Sequence, residues 1–322
     1  MNILISSAGR RVSLVKAFRT EIIKDFPDSK IFASDANPTL ATACHVADSS
    51  FAVPRLDDSS YVNFLIDKCK KHAISLIIPA IDTELLILAQ HRDKFLENGI
   101  FPLVASEEFV SICLDKRLTH QFFNSRDIAT AKEYDKNNYE LPMFLKPWDG
   151  SRSVNNHIVI VENELQERYF DDDKLMFLEY LDHTLYDEFT CDLYYSRKHQ
   201  LKCVVPRKRL EVRDGEVSKG LTQNNLLVPY IKERLTYIKG AIGCLTAQFF
   251  VHKENGNIYG IEINPRFGGG YPLSYLSGAN FPRWIVEEYL LGNELSDNFE
   301  CWEDNLLMLR YDDEILVHGY KG

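Results

Sequence analysis

The alternation of strand and helix through the first hundred residues is the strongest constraint on what this chain can fold into. Asn2–Ser6 is an apolar run, and Val12, Val15, Phe18 and Ile22 then recur at three- and four-residue steps. That recurrence marks an amphipathic helix. Further strands are expected at Ile31–Ser34 (ending at Asp35), at Leu76–Pro79 and at Phe101–Val104, with a helix after the third in which Leu85, Leu88, Ala89 and Phe95 share a face. Strand, helix, strand at this spacing implies a parallel sheet with helices on both faces. Ligands of such sheets sit at the carboxyl ends of the strands, where Gly9, Arg10, Asp35 and Asp82 fall. Ser7-Ala8-Gly9-Arg10-Arg11 is not a dinucleotide fingerprint, because it offers one glycine where the turn needs three. A nicotinamide oxidoreductase is therefore excluded. Arg10 and Arg11 at a helix start oppose the helix dipole, and an anionic ligand nearby would relieve that misfit.

After about residue 110 the pattern changes. Asp115–Phe123 reads as helix and Thr130–Leu141 as a polar loop. Short strands follow at Met143–Lys146, His157–Val161, Met176–Tyr180, Phe189–Tyr195, Lys202–Val205, Thr246–His252 and Ile258–Ile263. Helices are expected at Glu162–Tyr169, at Ile231–Ile242 and after Pro282. Hairpin-like strands beside helices indicate an α+β unit. Asn255-Gly256-Asn257 supplies a hairpin turn, since Asn and Gly accept positive φ. In 322 residues, 37 Lys+Arg against 47 Asp+Glu leave a formal charge of −10, which argues against nucleic acid or an anionic membrane as partner. No apolar run approaches the ~20 residues of a membrane span. The N-terminus lacks a basic region before an apolar one, so no signal peptide is expected. Seven scattered cysteines without a CxxC pair read as free thiols, in keeping with a cytoplasmic protein.

The residues with most chemistry are Gly260-Ile261-Glu262-Ile263-Asn264-Pro265-Arg266-Phe267-Gly268-Gly269-Gly270. Alternation along a strand sends Glu262 and Asn264 to one face, about 7 Å apart. With Asn255–Asn257 as the turn, Gln248 falls near Glu262 across a hairpin. Oxygen donors so placed suit a hard cation such as Mg²⁺, although a polar surface cluster has the same composition. Lys146 ends an apolar strand before Pro147-Trp148-Asp149-Gly150-Ser151-Arg152-Ser153, a plausible phosphate grip of ammonium and loop N–H groups. Phe177-Leu178-Glu179-Tyr180-Leu181 is an apolar strand that can offer its backbone to a purine, with Glu188 downstream for ribose hydroxyls.

In this order, these motifs resemble the ATP-grasp superfamily, and the branch similar to the large subunit of carbamoyl-phosphate synthase in particular. Gln248 followed by Glu262-x-Asn264-Pro265-Arg266, the opening Ser6-Ser7-Ala8-Gly9-Arg10-Arg11 and the segment Ile78–Leu85 carry the resemblance. It implies a Rossmann-like preATP-grasp domain over 1–110 and an α+β ATP-grasp domain over 111–322, the latter divided into a lid-bearing subdomain (about 111–178) and a C-terminal one (about 179–322). ATP with one or two Mg²⁺ (or Mn²⁺) would be the cofactors. Lys116, Lys146 and Ser151 would meet the phosphates, Glu179, Tyr180 and Leu181 the adenine, and Glu188 the ribose. Gln248, Glu262 and Asn264 would ligate metal, and Arg266 would stabilise the transferring phosphoryl group. From the basic run Arg207, Arg209, Arg213 and Lys219, the resemblance takes a phosphate-holding cation, with Arg209 and Lys219 favoured; an exposed hairpin is the alternative. The implied activity is a carboxylate–amine ligase working through an acyl phosphate on small-molecule substrates, as a homodimer by family habit. A kinase or acyl-phosphate-forming enzyme with a non-amine acceptor, and a non-catalytic ATP-binding module, stay open. Trp148–Asn155 would be the lid. The single ATP-grasp unit sets the chain apart from the synthase, which has two.

Overall fold

The computed structural model describes residues 1–150, 155–213 and 215–320. The N-terminal part is a five-stranded parallel sheet built from β1 (Asn2–Ser6), β2 (Ile31–Asp35), β3 (Ser49–Ala52), β4 (Ile74–Pro79) and β5 (Phe101–Pro102), in the order β3-β2-β1-β4-β5. Its central strands are apolar on both faces. Ile3 and Ile5 pack into one core while Leu4 packs into another, so alternate side chains serve helices on opposite sides. The sequence reading missed β3, whose exposed Ser49, Ser50 and Ala52 give it little apolar signal. Phe101–Val104 shortens to two paired residues at the sheet edge.

A four-stranded antiparallel sheet follows: β6 (Glu133–Tyr134), β7 (Met143–Pro147), β8 (His157–Val159) and β9 (Leu175–Glu179), in the order β6-β9-β7-β8. Met143, Leu145, Leu175 and Phe177 bury one face with Tyr169. Phe144, Lys146 and Leu178 take the opposite face, as period-two alternation requires. The expected helix Glu162–Tyr169 is a 3₁₀ turn, Glu162–Glu164, and a short helix, Glu167–Asp171.

The third sheet is antiparallel and six-stranded, from β10 (Tyr186–Tyr195), β11 (Leu201–Arg213), β12 (Glu216–Thr222), β13 (Gly243–His252), β14 (Ile258–Asn264) and β15 (Leu307–Leu309), ordered β14-β13-β10-β11-β12-β15. Strand β11 is far longer than the expected Lys202–Val205, and β12 was not foreseen, because charged Arg207 through Arg213 disguise both as an exposed hairpin. The expected helix Ile231–Ile242 is displaced: the helix is Leu227–Arg234, and Gly240 and Gly243 at φ +83° and +67° turn the chain into β13. The turn at Asn255–Asn257 forms as expected, with Gly256 at φ +74°. Among the described residues no helix is long and apolar enough to cross a membrane, and the seven cysteines are free thiols.

Candidate active site

The three sheets surround a cleft of about 1280 Å³. One wall is a face of the six-stranded sheet. On β10, Phe189, Cys191 and Leu193 alternate into the apolar core, which sends Glu188, Thr190 and Asp192 to the other side. Register continues that face across the sheet, with Thr190 beside Gln248 and Gln248 beside Glu262. Glu262 Oε1 accepts from Gln248 Nε2 at 2.8 Å and from Asn264 Nδ2 at 2.9 Å. Three oxygen-bearing side chains thus converge on one point. Rotating either amide by half a turn replaces its N–H₂ by a carbonyl oxygen, so the donor set fits a hard cation.

Arg266 follows on the loop after β14. It is nearly buried and donates from Nη2 to Asp82 of the N-terminal part at 2.7 Å. Burial works most strongly against its charge, but Asp82 and then Glu262 together outweigh that and hold its pKa above the ordinary value. Asp82 opens the helix Asp82–Gln90 after β4, so the carboxyl end of the parallel sheet and the end of β14 meet through this pair. The sequence reading placed Asp82 at the strand end but gave it no partner, since 184 residues separate the two.

The opposite wall carries lysines. Lys146 on β7 is buried, and burial pulls its pKa down to about 8, against an attraction to Glu262 and with repulsion from Lys116. Lys116 begins the helix Lys116–Asn124, which Asp115 caps by accepting from the Arg117 N–H at 2.9 Å. The Lys116 backbone N–H donates to the Trp148 carbonyl at 3.0 Å, and its ammonium donates to the Gly150 carbonyl. Burial also lowers the Lys116 pKa, offset first by Glu262. One turn along the same helix, His120 is pushed to about 4 by burial and then by Lys146 and Lys116. It is a neutral neighbour that the sequence reading did not single out.

Glu179, Tyr180, Leu181 and Glu188 also line the cleft. The Glu179 N–H donates to the Lys132 carbonyl at 2.8 Å and the Tyr180 N–H to that of Pro142 at 3.3 Å, which ties this segment to the starts of β6 and β7. Ser151, and half of the expected lid with it (residues 151–154), lies outside the described residues. Arg209 pairs with Glu188 and approaches Gln248 Oε1 at 3.4 Å.

The rest of the basic run divides. Arg207 is fully committed: Nε and Nη2 grip Asp192 at 2.7 and 3.0 Å, and Ser274 also donates to Asp192, at 2.6 Å. Arg213 pairs with Asp312 at the surface. Lys219, like Arg213, does not line the cleft. It is half exposed, ion-paired with Glu211 at 2.6 Å, and faces away from the other candidates. Glu84 and Tyr271 are internal: Glu84 accepts from the Tyr61 hydroxyl at 2.6 Å and Tyr271 donates to the Ala279 carbonyl at 3.0 Å. The one-glycine turn after β1 is held by its own sheet: the Gly9 N–H donates to Asp35 Oδ2 at 3.1 Å.

Comparison with known proteins agrees with this fold. Residues 3–103 match the model of the PylC-like N-terminal domain, and residues 171–306 that of the ATP-grasp domain in the biosynthetic pathway with Ter operon. No curated protein sequence matches. Among solved structures, biotin carboxylase from Campylobacter jejuni is similar with a TM-score of 0.72 at 16% identity, over 95% of this chain and 74% of that one. The biotin carboxylase domain of Hydrogenobacter thermophilus 2-oxoglutarate carboxylase, solved with MgADP and bicarbonate, gives 0.71 at 16%, over 95% and 73%. N5-carboxyaminoimidazole synthetase from Staphylococcus aureus, solved with ADP, gives 0.70 at 17%, over 92% and 78%. The fold is thus that of a PylC-like N-terminal domain followed by an ATP-grasp domain.

Proposed function

We propose that this protein is an ATP-dependent carboxylate–amine ligase. The observation that carries the reading is the convergence of Gln248, Glu262 and Asn264 opposite the buried Lys146 and the half-buried Lys116, with Arg266 lining the same cleft. ATP would lie with its adenine against Glu179–Leu181, its ribose at Glu188 and its phosphates between Lys116 and Lys146. Gln248, Glu262 and Asn264 would hold one or two Mg²⁺, which neutralise phosphate charge when bound.

A substrate carboxylate oxygen attacks the γ-phosphorus, the bond to the β,γ-bridging oxygen breaks, and ADP leaves. An amine then attacks the acyl carbon and phosphate departs with the electron pair, giving an amide. The protein positions the reactants and stabilises charge that moves outward onto oxygen. Arg266, held by Asp82, meets the transferring group, and Arg209 serves the same phosphate from the neighbouring strand. The small-molecule acceptor would enter from the side of the N-terminal domain. A homodimer is part of the same reading, supported by the dimeric biotin carboxylase domain among the similar structures.

The test is Mg²⁺-dependent ADP release from ATP with pooled carboxylates, each with and without pooled amines. Release that needs both pools is expected. Release with a carboxylate alone would replace the ligase by a kinase or a non-amine acceptor, and tight ATP binding without release under any pool would leave a binding module.

A further inference from the structure

Beside the cleft lies a second, smaller pocket of about 220 Å³, between the helix Val12–Ile22 and the helix Tyr271–Ser277. It shares Arg10, Arg11, Glu216, Gly268 and Gly269 with the cleft, so the two communicate. Its volume falls below the several hundred Å³ usual for a whole ligand. It fits one end of a molecule whose remainder occupies the cleft.

The charge in this pocket is unbalanced. Glu216 is approached by Arg10 at 3.4 Å, Arg11 at 3.5 Å and Arg310 at 3.1 Å. One carboxylate serves three guanidiniums, and Lys16 adds a further cation at the rim. Arg10 and Arg11 reach Glu216 at distances too long for good hydrogen bonds. Arg11 is mostly shielded from water, and burial pulls its pKa down to about 10, with Glu216 and Asp82 opposing and Arg266 and Arg310 adding repulsion. Cations gathered like this are stable once an anion joins them. The loop after β14 is shaped to the cluster. A Cβ at Gly269 would stand 2.6 Å from Glu216 Cδ and 2.9 Å from Arg11 Nη1, so backbone lies directly against the pair.

We infer that this pocket is a subsite for a dianionic end, a dicarboxylate or a phosphate, of the second substrate, held by Arg10, Arg11 and Arg310 while its reacting end passes Gly268 and Gly269 into the cleft. The inference rests on the ligase reading for what lies in the cleft. The Arg11 and Arg310 guanidiniums make paired N–H···O⁻ contacts to the incoming group. Glu216 keeps the cluster together before the substrate arrives and competes with it afterwards.

The test is calorimetric titration of the full chain with succinate, methyl phosphate and acetate, with and without saturating MgADP. Succinate or methyl phosphate should bind at least about tenfold more tightly than acetate, and which of the two binds names the anion class. Arg11→Gln and Arg310→Gln should each weaken that binding about tenfold or more. Glu216→Gln should tighten it several-fold, a gain that a damaged fold would not produce. Lys146→Gln should leave it unchanged, which separates this pocket from the phosphate positions in the cleft. Binding that is insensitive to Arg11 and Arg310, absent for both dianions, or weakened by Glu216→Gln overturns the subsite. Failure of MgADP to bind would overturn the ligase reading, and the titrations without nucleotide would still decide on the pocket.

Discussion

The two long walls of the cleft are built from opposite chemistry. On the six-stranded sheet, Glu262 and Glu188 are surrounded by neighbours that stabilise their charge: Gln248 and Asn264 for the first, Arg209 for the second. On the four-stranded side, Lys146 is placed in an apolar setting that disfavours its charge, and the largest attraction it feels comes from Glu262 on the other wall. A satisfied acid facing a strained ammonium describes a site waiting for something that is cationic on one side and anionic on the other. A metal-bearing polyphosphate has that polarity.

Removing the acid should therefore have the largest effect. Glu262→Ala is expected to lower Mg²⁺-dependent ADP release by about 10³-fold, at the upper end of what loss of one charge-stabilising group costs. The same substitution removes the main attraction on Lys146 and Lys116. If Glu262→Ala retains more than about a tenth of the activity, the two walls do not act on a common ligand.

The lysine wall makes a smaller and pH-dependent prediction. Lys146→Met should weaken ADP binding by about 10- to 100-fold, the worth of a hydrogen bond to a charged group. With its folded pKa lowered to about 8, Lys146 loses its proton in the nucleotide-free protein as pH rises past 8. Phosphate binding must then restore that proton, so affinity should fall by up to about tenfold between pH 8 and pH 9. Stability runs the other way. Between about pH 8 and the ordinary lysine value the unfolded chain binds the proton that the folded one has released, so this residue's contribution rises with pH. Equilibrium binding at pH 7, 8 and 9 should show the affinity trend in the parent and a flat profile in Lys146→Met.

The same contrast explains what could be read from the sequence. The acid wall was legible because its geometry is local: strand alternation, one Asn-Gly-Asn turn and a fourteen-residue separation place Gln248, Glu262 and Asn264 together. The position of Lys146 at a strand end was legible for a similar reason. What escaped was set by partners distant in sequence. Asp82 meets Arg266 across 184 residues, and Asp192 claims Arg207 through antiparallel pairing of two strands whose length the charged residues concealed. The pocket of Arg10, Arg11 and Arg310 likewise joins the two ends of the chain, although the misfit of two arginines at a helix start had pointed to an anion there.

The smallest predicted effect separates two residues that look equivalent in the sequence. Arg209 and Lys219 sit on β11 and β12, and each is paired with one glutamate. Arg209 and Glu188 are both mostly buried in the cleft beside Gln248. Lys219 and Glu211 are half exposed, and a pair of that kind contributes about 0–1 kcal/mol at most. Arg209→Ala should reduce ADP release by about tenfold, because it withdraws a cation from the phosphate side and leaves Glu188 uncompensated in a shielded position. Lys219→Ala should change release by less than about twofold. Steady-state rates of the two variants at saturating ATP decide the matter. If Lys219→Ala proved the more damaging, β12 would have to move toward the cleft during turnover, and the phosphate-holding cation would come from the sheet edge.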